Sequence, residues 1–197
     1  MDLYRAALRG SPAAQYVKER GVIPDSWSSS VIGFSAADIA ARDHPKNRLV
    51  IGYMTAGGCV DLKFRSLDGS DPKYLYAPGT VHRLWNVDAL LNNDGTVVLT
   101  EGELDALIVQ QHAGLAAVAY PGVSAFKPYM ARAFAGIDQV VVVADGDSAG
   151  REAAKTVASE IGRFADRVRI ARMPDGEDSN SFFLAHGATD LKGLLLE

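Results

Sequence analysis

The sequence predicts an α/β fold: a parallel sheet with helices on both faces, preceded by a smaller mixed α+β segment. Three observations carry that expectation. Beyond residue 95, short continuous apolar runs alternate with longer helical stretches, which is how strands buried on both faces read. Asn92-Asn93-Asp94-Gly95 is a strong turn and separates this half from what precedes it. Before that turn lie one helical stretch and two strand-like segments joined by a Gly-Gly hairpin turn. The expected division is therefore residues 1–92 and 93–197.

In chain order, Ser11-Pro12 starts a helix whose apolar stripe is Ala13, Ala14, Tyr16 and Val17, and Gly21 ends it. Asp25-Ser26 is a candidate cap for a second helix, and Ser35 for a third over Ala36 to Ala41. Leu49 to Met54 and Val60 to Phe64 read as strands around the turn Thr55-Ala56-Gly57-Gly58, and Leu67 to Pro72 as a loop. In the second half, strands are expected at Thr96 to Thr100, Ala116 to Tyr120, Gln139 to Ala144 and Val168 to Ala171. Helices are expected at Leu104 to His112, around Lys127 to Phe134, and at Ala149 to Phe164.

Composition narrows the classes of function. The 197 residues suffice for a buried core, and no apolar run approaches the roughly 20 residues of a membrane span. The N-terminus has no secretory h-region, so cytoplasmic residence without membrane contact is expected. One cysteine, Cys59, excludes a disulfide framework or a cysteine-rich zinc module within these residues. The four histidines are scattered, so any metal should be held by oxygen, which points to magnesium or manganese. The net charge is −4, yet six basic residues face three acidic ones between Lys46 and Arg83, and the balance turns acidic from Thr96 onward. A basic tract followed by an acidic cluster suits an enzyme that holds a polyanion near divalent cations.

In open parallel sheets, chemistry gathers beyond the carboxyl ends of the strands. Two acidic motifs fall there: Glu101-Gly102-Glu103-Leu104-Asp105-Ala106 after one strand, and Asp145-Gly146-Asp147-Ser148-Ala149-Gly150-Arg151 after another. Gly102 allows a sharp turn, so that Asp105, one helical turn on, leans toward the same spot as Glu101. Crowded carboxylates repel, and a hard cation removes that penalty. Asp145, Asp147 and Ser148 are also natural helix-start residues, so capping alone accounts for either motif singly. Two such motifs at strand tips of one sheet are hard to explain by capping.

These motifs resemble the signatures of the Toprim domain of DnaG-type primases, topoisomerases and some nucleases. Glu101, Gly102, Asp105 and Ala106 match the first signature; Asp145, Asp147 and Gly150 match the second. The run DGDSAGREAA from Asp145 is similar to the primase version, and Met173 to Ser181 resembles the third primase acidic motif, with Asp178 matching one of its acids. Asn180 and Ser181 depart from the aspartates usual there. Upstream, Asn47 to Ile51, Phe64-Arg65, Pro72-Lys73-Tyr74 and Glu19-Arg20-Gly21 are similar to segments of the primase catalytic core.

The resemblance implies a metal-dependent DNA primase core that joins ribonucleotides on a single-stranded DNA template. It implies Mg2+ or Mn2+ held by Asp145, Asp147 and Asp178, with Glu101 and Asp105 completing the shell and Glu101 assisting proton transfer. Arg48, Arg65, Lys73 and Arg151 are assigned to template or nucleotide phosphates, Lys127 is a further phosphate candidate, and Tyr74, Tyr76 and Trp85 are candidates to stack on bases. A Toprim-type nuclease and a non-catalytic nucleic-acid-binding replisome module are the competing readings. Primases of this type usually also carry a zinc-binding module and a helicase-binding region. Neither fits in 197 residues, so a compact phage-type enzyme and an excised core both stay open, with a replicative helicase or a separate zinc module as expected partners.

Overall fold

The structure is a computed structural model and describes residues 1–23, 31–38, 44–122 and 125–197. It forms two compact units, Met1–Val81 and His82–Glu197. The division falls eleven residues before the turn at 92–95. The reason is Trp85, which is buried and exchanges two backbone hydrogen bonds with Ala119, of 2.8 and 3.2 Å, while Leu84 and Ala89 enter the second unit's core. Trp85 is thus a core residue and not a stacking platform. The segment from 82 to 92 belongs with the parallel sheet that follows.

In the first unit, helix α1 (Asp2–Ala6) precedes α2 (Pro12–Glu19), whose N-cap Ser11 accepts from the Ala14 amide as its sequence predicts. Four antiparallel strands follow in the order β1 (Ile32–Phe34), β2 (Leu49–Thr55), β3 (Gly58–Arg65) and β4 (Tyr74–Tyr76). The expected hairpin is present, with Thr55 opposite Gly58. Strands β1 and β4 are too short to show a period-2 pattern. Ser35 caps no helix over the described residues; its hydroxyl accepts from the Arg48 amide at 3.0 Å and tethers the start of β2. The candidate cap at Asp25-Ser26, and residues 39–41 of the third expected helix, lie outside the described residues.

One face of this sheet carries Val50, Leu62 and Phe64, packed on Tyr4 and Leu75. The other carries Lys63, Arg65, Tyr74 and Tyr76: strand alternation puts Lys63 and Arg65 on one side, and the β3–β4 register sets them opposite Tyr76 and Tyr74.

The second unit is a four-stranded parallel sheet in the order β6-β5-β7-β8, comprising β5 (Thr96–Thr100), β6 (Ala116–Ala119), β7 (Gln139–Ala144) and β8 (Arg167–Arg172). Val97, Leu99, Val118, Val140 and Val142 face α4 (Pro128–Ala131) and α5 (Ser148–Ile161), through Met130, Phe134, Val157 and Ile161. Alternation turns Val98, Ala117 and Val141 to the opposite face, which α3 (Glu103–Ile108) and α7 (Ala188–Leu196) cover. Helix α3 closes in a π-type turn, Val109–Ala113, ending at Gly114 with φ +66°. Helices α6 (Ser179–His186) and α7 have no counterpart among the sequence expectations. Among the described residues no helix is long and apolar enough to cross a membrane.

Candidate active site

Three β-α junctions at the carboxyl end of the parallel sheet build the acidic site. Glu101 follows β5, Asp145 and Asp147 follow β7, and Asp178 stands between β8 and α6. What draws the third junction in is Gly146. Its amide donates to the Glu177 carbonyl at 2.7 Å, and its own carbonyl accepts from the Gly176 amide at 2.9 Å. A Cβ on Gly146 would overlap the Pro174 carbonyl oxygen and lie 2.7 and 2.8 Å from the amides of Gly176 and Glu177. Only glycine lets the Pro174–Glu177 turn seat against the β7 tip, and this seating places Asp178 beside the Asp145–Asp147 pair.

Asp145 responds strongly to this environment. Burial first, and then the charges of Glu101, Asp178 and Asp147, push its carboxyl up to about 7 from an ordinary 3.8. The side chains that act on it are thus three of the expected acids, contributed by all three junctions. Gly150 lets α5 begin close by: a Cβ there would sit 2.9 Å from that of Asp145.

Asp147 and Asp178 are also helix caps. Asp147 Oδ1 accepts from the Gly150 amide at 2.7 Å and Asp178 Oδ1 from the Ser181 amide at 2.7 Å, the latter in a reciprocal capping box. Capping and acidic clustering therefore coexist, each aspartate giving one oxygen to its helix. Asp105 reaches a further partner in α6. Its Oδ1 accepts from the Asn180 amide at 3.2 Å, which ties α3 to the N-terminus of α6, and it is not among the charges that act on Asp145.

Among the described residues no three His, Cys, Asp or Glu side chains converge as a ready-made ligand set. The donor chemistry nevertheless fits a hard divalent cation: carboxylate oxygens only, with one proton affinity already raised by burial and then by neighbouring charges.

In the first unit, Arg65 donates to the Tyr74 hydroxyl, and its guanidinium lies 5.2 Å from the ring centroids of both Tyr16 and Tyr74. Lys73 is exposed, with Nζ 5.6 Å from the Tyr74 centroid. Arg48 donates to the Pro72 carbonyl at 2.8 Å. Within the second unit, Arg151 pairs with Asp175 of the turn that Gly146 seats. Tyr74 and Tyr76 are half-buried beside cations, and Lys127 is exposed at the N-cap of α4.

Lys63 was not expected. It is 2% exposed, with Nζ 4.2 Å from the Tyr74 centroid and 5.8 Å from that of Tyr76. Its signal was available in its spacing two residues from Arg65 on a strand. Glu103, 2% exposed in the first turn of α3, was also missed, since its position reads as an ordinary solvated helix start.

A parallel sheet with acids at the β-α junctions of three adjacent strands is the arrangement of a Toprim domain. The Toprim-like family model matches residues 98–183. The Gene 57 protein of Mycobacterium phage D29 is 39% identical over 136 residues, covering 69% of this chain and 84% of that protein. The DNA primase of Pseudomonas putida is 25% identical over 232 residues, covering 94% of this chain. The chain spans 35% of the length of that primase and 40% of that of Neisseria meningitidis. Among solved structures, a DNA primase domain from Pseudomonas aeruginosa superposes with a TM-score of 0.82 at 23% identity, covering all of this chain and 75% of its own. The RNA polymerase domain of Mycobacterium tuberculosis primase DnaG, in complex with a double-stranded DNA oligomer bearing a 6-nucleotide overhang, gives 0.79 at 23% identity, with 98% and 76% covered. Residues 98–183 are Toprim-like, the chain belongs to the family of the phage D29 Gene 57 protein, and its fold is that of the DnaG-type primase catalytic core.

Proposed function

We propose that this chain is the catalytic core of a DNA primase, a nucleotidyltransferase that joins ribonucleotides on single-stranded DNA. The observation that carries this is that Glu101, Asp147 and Asp178, from three β-α junctions, all act with burial to raise the proton affinity of Asp145, in a fold shared with primase cores. Asp145, Asp147 and Asp178 would hold Mg2+ or Mn2+, with Glu101 completing the shell. When bound, the cation neutralises these carboxylates and the charge on phosphoryl oxygens. In the reaction, a primer 3′ hydroxyl attacks the α-phosphate of a ribonucleoside triphosphate, and pyrophosphate leaves. Glu101, at the tip of β5, is suited to accept the hydroxyl proton.

Arg65 and Lys73 are suited to template or nucleotide phosphates, because the tyrosine rings of the first unit hold the Arg65 guanidinium in place before any ligand arrives. Arg48 in the first unit and Arg151 in the second are each further candidates for phosphate, anchored by a carbonyl and a carboxylate respectively. A replicative helicase or a zinc-binding module in another chain fits as partner, since the bacterial relatives extend well beyond the matched region.

The test is incubation with single-stranded template, all four ribonucleoside triphosphates and Mg2+. Short RNA products are expected, and Asp145→Ala should abolish them while leaving the fold intact by circular dichroism. Template cleavage instead of RNA would establish the nuclease reading. Magnesium-indifferent DNA binding with no product would establish a non-catalytic module.

A further inference from the structure

Lys127 is a phosphate candidate that the acidic site leaves unused, and its surroundings form a patch of their own. Strand β6 runs parallel to β5, and the Tyr120 amide just after it donates to the Thr100 carbonyl at 3.1 Å, one residue before Glu101. Phe126 packs edge-on against the Tyr120 ring, with centroids 5.7 Å apart. Lys127 and α4 therefore start from the same end of the sheet as Glu101.

Helix α4 and the turn Arg132–Phe134 that continues it bury Met130, Ala131 and Phe134 in the core. The helical period turns Tyr129 and Arg132, three residues apart, to the solvent side. Tyr129 is 53% exposed, the most open aromatic ring among the described residues. Its hydroxyl donates to the His82 carbonyl. The polar end of the side chain is thus satisfied and held in place, while the ring stays half in water.

A single exposed ring is ordinary by itself. What distinguishes this one is the charge around it. Lys127 and Arg132 are exposed beside it, Arg83 follows His82, and the sequence from Pro121 to Ile137 contains no acid. An open ring flanked by cations fits a polyanion that carries flat, stackable groups, which is single-stranded nucleic acid. Duplex fits poorly, because its bases are already stacked on one another.

We propose that Lys127, Tyr129 and Arg132 form a contact surface for single-stranded DNA: one unpaired base stacks on the Tyr129 ring, and the phosphates on either side of it meet Lys127 and Arg132. The inference rests on the template reading above and extends it to α4, to which neither the acidic motifs nor the basic tract contribute a residue.

The test is fluorescence anisotropy of a labelled oligothymidylate with the full chain in EDTA, so that no divalent ion takes part. Tyr129→Ala should bind about tenfold more weakly. Tyr129→Phe, which keeps the ring and drops the bond to His82, should bind like wild type. On an oligonucleotide of the same length made of abasic sites, wild type and Tyr129→Ala should bind alike. Lys127→Ala and Arg132→Ala, which leave the ring in place, should each lower the slope of log affinity against log salt by about 0.7. Wild-type affinity for oligothymidylate in Tyr129→Ala, or an unchanged slope in both charge variants, would overturn the proposal and leave the metal-dependent reading standing. An equal loss by Tyr129→Ala on the abasic strand would also overturn it, since the substitution would then act through the fold. A dimer in sedimentation velocity that Tyr129→Ala dissolves, with DNA affinity unchanged, would overturn it by assigning the patch to a second copy. No binding of single-stranded DNA by the wild type would overturn the template reading and this surface together.

Discussion

The amide of Gly146 donates to the carbonyl of Glu177 at 2.7 Å, and this bond joins the second acidic motif to the third. Thirty-one residues separate the two in sequence. The Gly146–Gly176 bond beside it, of 2.9 Å, makes the contact two-pronged, so the turn before α6 is held in one register on the β7 tip.

Gly146→Ala should therefore be among the most damaging single substitutions in the second unit. The added methyl would overlap the Pro174 carbonyl and crowd two amides, and none of these is the yielding end of a flexible side chain. Loss of at least about 3 kcal/mol in urea denaturation is expected, the range of severe overpacking combined with broken buried hydrogen bonds. Calorimetry should show Mg2+ uptake lost as well, since Asp178 is carried by the displaced turn. A variant with wild-type stability would mean that the turn docks without close approach.

Asp145 gives a pH dependence with a defined sign. Its folded-state value of about 7 lies above the ordinary 3.8, so the native state binds this proton more tightly than the unfolded chain does. Its ionisation in the fold is unfavourable. Metal-free protein should accordingly lose stability as pH rises from about 4 to about 7, with no further loss from this group above that. The upper figure is roughly 4 kcal/mol, from about 1.4 kcal/mol per tenfold change in proton affinity. Asp145→Asn should remove this dependence and be more stable than wild type at pH 7.5 in EDTA. Saturating Mg2+ should reverse the order by stabilising only the wild type. Urea titrations at pH 4.5, 6 and 7.5 would check it; a wild-type-minus-variant difference that is flat with pH would contradict it.

Much of this arrangement was legible in the sequence, for a physical reason. Strands buried on both faces read as apolar runs, so β5 and β7 are found at their expected limits, and the acids at their tips follow directly. Ser11-Pro12 is a local signal and marks its helix correctly. The rest depends on partners distant in sequence. Asp105 looks like a ligand because it lies one turn from Glu101, and only the fold shows the Asn180 amide beside it. Helices α6 and α7 escaped because the sequence there offers no sharp apolar period, and because Gly187, at φ +87°, separates two short segments.

Asp105 can be resolved by separating charge from shape. If its work is to accept from the Asn180 amide, Asp105→Asn retains an acceptor oxygen and should melt within about 2 °C of wild type, while Asp105→Ala leaves the amide without its partner and costs roughly 1 to 2 kcal/mol. Primer synthesis by Asp105→Asn should then exceed that of Asp145→Asn at saturating Mg2+. Equal, complete loss of synthesis in both asparagine variants would return Asp105 to the metal shell that the motif implies.

Lys73 offers the cleanest measure of phosphate contact, because it is exposed and its removal disturbs little. Each phosphate neutralised on single-stranded DNA contributes about 0.7 to the slope of log affinity against log salt. Lys73→Ala should lower that slope by about 0.7 with an unchanged melting temperature, read by fluorescence anisotropy on a labelled oligonucleotide between 50 and 200 mM salt. Arg65→Ala should lower it similarly, but also destabilise the first unit, because its guanidinium is bonded to the Tyr74 hydroxyl and lies against the rings of Tyr16 and Tyr74. The contrast between the two variants separates binding charge from structural charge: affinity falls in both, and only Arg65→Ala melts early. An unchanged salt slope in Lys73→Ala would remove that lysine from the phosphate-binding surface and leave it as ordinary solvated charge beside Tyr74.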